Sequence, residues 1–124
     1  MGNVLPLQEE FARGFVREWV AAWNSHDLER IMEHYEDDVV LVSPVAARLV
    51  GNDGRVEGKP ALRAYFERGL AAYADLRFDL TDTLWGVETI VACYTNNVRG
   101  GTTAEVMQMS AAGKVLRVWA NYGQ

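Results

Sequence analysis

Glu105 has the clearest capacity for chemistry in this chain. It lies in Thr103-Ala104-Glu105-Val106-Met107-Gln108-Met109, a segment read with the two-residue period of a strand. With Thr103, Glu105, Met107 and Met109 facing inward, a carboxylate sits among methionines and tryptophans. Desolvation then raises its pKa and lets it act as acid or base near pH 7. With Val106 and Gln108 facing the core instead, Glu105 is merely solvated. Asp82 shares parity with Phe78, Leu80 and Leu84. It is a candidate second pocket acid, unless a bulge after Leu80 turns it out. Tyr94, Asn96 and Tyr122 carry polar tips of the kind that orient ligands in apolar pockets, provided that Ile90, Ala92 and Tyr94 face inward. The alternative is core tyrosines with their hydroxyls at the rim.

Other residue types offer less. Phe15, Trp19, Trp23, Phe66 and Phe78 read as core, although a cavity wall so rich in aromatics can also stack a planar ligand. Tyr35, Met107 and Val118 join them as candidate pocket residues. His26 and His34 have no third ligand at a convincing spacing, so no metal site is expected. Cys93 alternates with Ala92 and Tyr94, which puts it on the opposite sheet face with no activator near in sequence. Gly100-Gly101 precedes no helix, so it is a hairpin turn and not a phosphate loop.

Residues 5–24 must position the first of these groups. Leu7, Phe11, Phe15, Trp19 and Trp23 recur at steps of four, one apolar stripe of a helix that Pro6 suits in its first turn. Gly14 inside it marks either close packing or a locally weak turn. Asp27 can cap a second helix carrying Leu28, Ile31, Met32 and Tyr35 on one face, with Glu36-Asp37-Asp38 as its end. Val39–Ser43 reads as a strand stopped by Pro44. Arg48-Leu49-Val50 and Arg55-Val56-Glu57 could pair as a hairpin around Gly51-Asn52-Asp53-Gly54. The stretch 45–58 is either a lid over a cavity mouth or decoration. Pro60 opens a third helix with Leu62, Tyr65, Phe66, Gly69, Leu70 and Tyr73 on one face. From Leu76 the period becomes two, and short glycine turns divide the chain into a four-strand antiparallel meander. Three helices and then a meander make an α+β architecture. Helices closing one face of a strongly curved sheet leave a cone with an apolar interior.

The order of these elements resembles the nuclear transport factor 2-like superfamily. Ala21-Ala22-Trp23-Asn24-Ser25-His26-Asp27-Leu28, Tyr35-Glu36-Asp37-Asp38-Val39 and Ser43-Pro44 resemble the first half of its ketosteroid isomerase-like and SnoaL-like branches. Gly58-Lys59-Pro60-Ala61-Leu62 with Tyr65-Phe66, and Gly113-Lys114-Val115, match as well. The resemblance covers about residues 7–123. It is fairly specific for fold and nearly silent on function. It implies that Thr103, Glu105, Met107 and Met109 face inward. The isomerases use an Asp before the proline as general base, a Tyr on the first helix as oxyanion donor, and a protonated acid on the fifth strand. The matching positions here are Ser43, Trp19 and Glu105. Only the acid keeps its chemistry, so the kinship implies proton transfer on another small carbonyl compound rather than steroid isomerisation.

Composition sets the outer limits. The 124 residues hold 12 Lys plus Arg against 17 Asp plus Glu, a net charge of −5. That length suits one domain, read as 1–124, and that balance argues against nucleic-acid and anionic-membrane surfaces. No apolar run approaches the ~20 residues of a membrane span, and the opening residues lack a signal-peptide pattern. A cytoplasmic protein is expected. The outward sheet face, with Trp85, Val91, Cys93, Val115 and Trp119 beside Arg77, Arg117 and Asn121, reads as a partner surface. Because the resembling families commonly pair through this sheet, a homodimer is expected. The leading reading is an acid/base enzyme for a small apolar carbonyl compound that needs no cofactor. Glu105 is its acid or base, with Trp19, Ser43, Tyr94 and Tyr122 as orienting donors. The rivals are a binding module and a hydrolase or dehydratase. A second polar group within reach of Glu105 favours chemistry, and Asp82 or Asn96 beside it favours activation of a water.

Overall fold

The computed structural model describes residues 8–123. The expected roles of Pro6 and Leu7 lie outside the described residues. Helix α1 spans Glu9–Ser25 and buries Ala12, Phe15, Val16, Trp19, Ala22 and Trp23; of the stripe read from the sequence, Phe15, Trp19 and Trp23 are buried, whereas Phe11 is exposed. A Cβ at Gly14 would meet no atom within 4 Å. The glycine therefore permits no close approach and is a weak turn. Helix α2, Leu28–Met32, is capped by Asp27, whose side chain accepts from Arg30 N.

Tyr35 corrects the sequence reading. It opens strand β1, Tyr35–Val42, and pairs with Val115 far along the chain. The i+7 spacing from Leu28 is satisfied, but the chain has already left the helix. Glu36, Asp37 and Asp38 occupy an irregular stretch of that strand, where the pairing register shifts between Tyr35 and Val40. They are not a helix end.

The hairpin expected after Pro44 is also replaced. Helix α3, Pro44–Val50, begins there, with Pro44 in its first turn and Ser43 Oγ accepting from Val45 N at 3.1 Å. The Ser-Pro pair is a helix start rather than a strand stop. A tight turn over Asn52–Gly54 follows. Only glycine fits at Gly54, where φ is +80° and a Cβ would lie 2.6 Å from Ser43 O. Strand β2, Arg55–Glu57, pairs antiparallel with β1 and not with residues 48–50. Helix α4, Lys59–Ala72, buries Leu62 and Phe66, while Tyr73 is exposed.

The meander consists of β3 (Phe78–Trp85), β4 (Thr89–Asn96), β5 (Thr102–Met109) and β6 (Val115–Tyr122). Sheet order is β2-β1-β6-β5-β4-β3. The curved sheet is mixed rather than purely antiparallel, because β1 runs parallel to β6. The α+β cone stands. Its core lies between the helices and the inner sheet face, where Ile90, Ala92, Thr103, Met107, Val115 and Val118 are fully buried.

Two register shifts decide which side chains face in. In β3 the pairing passes from Leu80↔Tyr94 to Asp82↔Cys93, leaving Thr81 as an extra residue. Asp82 is therefore exposed on the outer face, and Thr83 is buried in its place. The same shift puts Trp85 opposite buried Ile90. It lies on the helix side, with the Arg13 guanidinium 5.2 Å above its ring. Trp85 therefore does not belong to the outer face, and Leu84 does. A second shift between Gln108 and Met109 turns Val115 inward, against the sequence reading. Arg117, Trp119 and Asn121 are exposed on the outer face, with Cys93 partly exposed there.

Candidate functional site

The segment Asn24-Ser25-His26-Asp27 holds the end of α1 against the start of β3. Asn24 Nδ2 donates to Phe78 O at 3.0 Å, and Phe78 N donates to Asn24 Oδ1 at 2.7 Å. His26 takes the left-handed conformation, φ 61°, and its Nε2 lies 2.7 Å from Leu76 O. This local text is structural. It fixes Phe78, which stacks on Tyr94 with ring centroids 4.2 Å apart and on Trp23 at 5.4 Å.

That aromatic stack floors a cavity of about 610 Å3. Of the residues expected to line it, Trp23, Ser43, Phe66, Phe78, Tyr94, Glu105 and Tyr122 do so. Phe15, Trp19, Tyr35, Met107 and Val118 do not, and are packed core beneath it. Trp19 is no orienting donor, because its Nε1 donates to buried Tyr35 Oη at 2.9 Å. Burial also pushes the Tyr35 phenol well up, so it stays protonated. Asp82 lies outside. Helix α3 supplies a wall through Val45, Arg48 and Leu49, so residues 45–58 are neither decoration nor merely a lid. Sequence reasoning missed this wall. Its signal was Val45 and Leu49, one helical turn apart behind a Ser-Pro start.

Glu105 faces this cavity from β5. Tyr94 Oη on the adjacent β4 donates to Glu105 Oε2 at 2.5 Å, and the two side chains neighbour each other through the pairs Ala92↔Glu105 and Tyr94↔Thr103. Burial raises the Glu105 carboxyl to about pKa 7, against the opposing pull of the Tyr94 hydroxyl. Tyr94 itself is raised, first by burial and then by the neighbouring carboxylate. At neutral pH the pair is thus an acid poised between its two states, next to a phenol that keeps its proton.

Also lining this cavity, Ser43 Oγ and Tyr122 Oη are 3.5 Å apart. That is the outer limit of a hydrogen bond and leaves both hydroxyls able to meet a guest oxygen. Asn96 also lines the cavity, but its Oδ1 is engaged by Val98 N and Arg99 N in the hairpin turn. Burial and nearby Asp82 push the Cys93 thiol up, the opposite of an activated nucleophile. Among the described residues no three His, Cys, Asp or Glu side chains converge as metal ligands, and no helix is long and apolar enough to cross a membrane.

Removing the phenol tests the pair directly. Tyr94→Phe is expected to raise the Glu105 pKa by about one further unit, since the lost hydrogen bond favours the ionised form. A 13C titration of the carboxyl carbon reads this shift, and an unmoved midpoint would show that the phenol does not tune it.

Helices followed by a curved, mixed six-strand sheet define the nuclear transport factor 2-like class of fold. Residues 16–121 match the family model described as SnoaL-like domain, and the chain belongs to this family. It is similar to a SnoaL-like protein of unknown function from Burkholderia thailandensis E264, at 34% identity and TM-score 0.92, over 96% of this chain and 99% of that one. A provisionally named isomerase of the SnoaL-like family from Agrobacterium tumefaciens strain C58 shares 16% identity at TM-score 0.74, over 93% and 99%. AclR, a provisionally named hydroxylase from Streptomyces galilaeus, shares 21% identity at TM-score 0.72, over 94% and 91%. The last two likenesses concern the fold. No curated protein matches the chain.

Proposed function

We propose that this protein is an acid/base enzyme transferring a proton within a small, largely apolar carbonyl compound. The observation that carries this reading is the 2.5 Å bond from Tyr94 to a cavity-facing Glu105 whose pKa lies about 7. A carboxylate in that state removes a proton from the carbon beside the carbonyl group. The C–H electron pair passes into an enolate, and the carboxyl group then returns the proton at another carbon. The Ser43 and Tyr122 hydroxyls offer hydrogen bonds to the enolate oxygen. Trp23, Phe66 and Phe78 enclose the apolar body of the substrate. No cofactor is needed for this step. The second polar group beside Glu105 supports chemistry over passive binding, and the outward Asp82 removes one support for a hydrolase.

The direct test follows exchange of α-protons for deuterium in a panel of cyclic ketones by NMR. The protein is expected to accelerate exchange for part of the panel, and Glu105→Gln to return it to the buffer rate. Acceleration that survives in Glu105→Gln would remove the catalytic assignment.

The proposed partner is a second copy of the chain. On the outer sheet face Leu84, Val91, Val106, Trp119 and Val42 lie side by side across β3, β4, β5, β6 and β1. Leu84 is 49% and Trp119 39% exposed. An apolar row of this length, with Cys93 beside it and Arg117 flanking it, suits a self-complementary sheet-to-sheet contact. In sedimentation velocity the parent chain is expected to run as a dimer and Trp119→Glu as a folded monomer; a monomeric parent, or a dimer unchanged in the variant, would exclude this face. A lone thiol and an acidic surface also suit a reducing cytoplasm.

A further inference from the structure

The charges around the cavity are unevenly placed. The chain is acidic overall, at −5. Arg13, Arg30, Arg55, Arg63 and Arg77 are each held by a carboxylate. Arg17, Arg48, Arg68, Arg99 and Arg117 have no carboxylate partner among the described residues, and three of them, Arg48, Arg68 and Arg99, line this one cavity. They are exposed, so they sit at its mouth. Among the described residues the only acid in the lining is Glu105, set among aromatic rings and bonded to Tyr94.

Two of these arginines are tied to the Ser43–Tyr122 edge. The Arg99 guanidinium lies 4.7 Å over the Tyr122 ring and donates to the carbonyl oxygens of Gly100 and Gly123 at 3.0 and 3.1 Å. It is held in place rather than free in solvent. Burial raises the Tyr122 phenol, and the Arg99 and Arg48 cations oppose that rise.

We propose that the mouth is an anion subsite, and that the ligand is an amphipathic carboxylate whose acid group rests against Arg48 and Arg99 while its apolar, carbonyl-bearing body enters toward Glu105. This rests on the function proposed above and adds the class of substrate. The orientation follows from charge. A substrate carboxylate beside Glu105 would be repelled once Glu105 ionises, and it would lose its own hydration among Trp23, Phe66 and Phe78. At the mouth it keeps part of its water and meets guanidinium forks that match its two oxygens. The unpaired cations also give an acidic protein a local positive field that draws anions to this opening. Exposed charge pairs are individually weak, and two or three acting together support a preference of about tenfold.

The test compares 4-benzoylbenzoate with its neutral amide, 4-benzoylbenzamide, by isothermal titration calorimetry at low and at high salt. The acid is expected to bind about tenfold more tightly at low salt, with the preference shrinking as salt screens it. In the double variant Arg48→Gln, Arg99→Gln the preference for the acid over the amide is expected to fall to near unity. Thermal melts confirm that the variant is folded, and Arg48→Gln alone, expected to lose about threefold of the preference, serves if it is not. Equal binding of acid and amide to the parent protein, or a preference that survives in the variants, overturns the subsite and leaves the proton-transfer reading standing. Binding of neither probe overturns both. Glu105→Gln is expected to keep the preference for the acid while losing proton exchange, so the two readings fail separately.

Discussion

Glu105→Gln is expected to lower proton transfer by about a hundredfold or more and, at the same time, to stabilise the folded protein above neutral pH. The first effect follows from removing the only acid that the described residues place in the cavity wall. The second follows from its burial. The unfolded carboxyl titrates near its ordinary value of 4.5, whereas the folded one is raised to about 7. Between those values the unfolded chain has released the proton and the folded chain still holds it. Folding stability therefore falls as pH rises through this window, and the loss reaches about 3 kcal/mol once the folded group has also ionised. Glutamine carries no charge to desolvate, and its carbonyl oxygen can still accept from Tyr94. Urea denaturation from about pH 4 to pH 8 should give nearly equal stabilities at the acid end. The variant should be the more stable by up to about 3 kcal/mol at the basic end. Curves that stay parallel would show that Glu105 is hydrated and would remove the basis for its catalytic role.

Asn24→Ala is expected to cost about 3 kcal/mol and to loosen the cavity floor. Both polar ends of the Asn24 amide are engaged by the backbone of Phe78. Truncation strands an N–H and a carbonyl between helix and sheet, each worth about 1–3 kcal/mol when left unpartnered. Asn24→Asp keeps the acceptor for Phe78 N but sets a second oxygen against Phe78 O, so it should fall between the two. Because Phe78 stacks on both Tyr94 and Trp23, the alanine variant should also bind cavity probes more weakly. Urea midpoints measure the first effect and probe titration the second. A loss in Asn24→Ala below about 0.5 kcal/mol would show that water replaces the amide, and that the local text around Asn24 is not a clamp.

The sequence revealed most where geometry is set by single residues or by long periods. The stripe from Phe15 to Trp23 buries as its spacing requires. Gly100, Gly101 and Gly113 adopt the positive φ that their turns need. Inward Glu105 is continuous with buried Thr103, Met107 and Met109 along one face of β5. What stayed hidden depends on register. Thr81 has nothing in its side chain to mark it as the extra residue of β3, so simple alternation puts Leu84 and Trp85 on the wrong faces, while Asp82 is turned out by a bulge after Leu80, the alternative that the sequence leaves open. Val115 was misplaced by the same kind of shift. Tyr35 satisfied a helical spacing while its pairing partner lay 80 positions away. The cavity mouth was illegible for a related reason. Arg48, Arg68 and Arg99 belong to three separate elements, and no local pattern says that they meet.

The strand pairing between β1 and β6 has a consequence for how the chain reaches its native state. Ser43 and Tyr122 stand 79 positions apart, and the ladder that brings them together joins an early strand to the last one. During synthesis the helices and first hairpins can form as they leave the ribosome, but the part of the cavity lining that Ala120 and Tyr122 supply waits for β6. Loop closure over such a distance is entropically costly and slow. Until β6 arrives, the edges of β1 and β5 lie open and the acid that becomes buried remains wet. The nascent protein is thus most prone to sticking until β6 has been made, and the Glu105 carboxyl acquires its raised proton affinity only as that strand zips in.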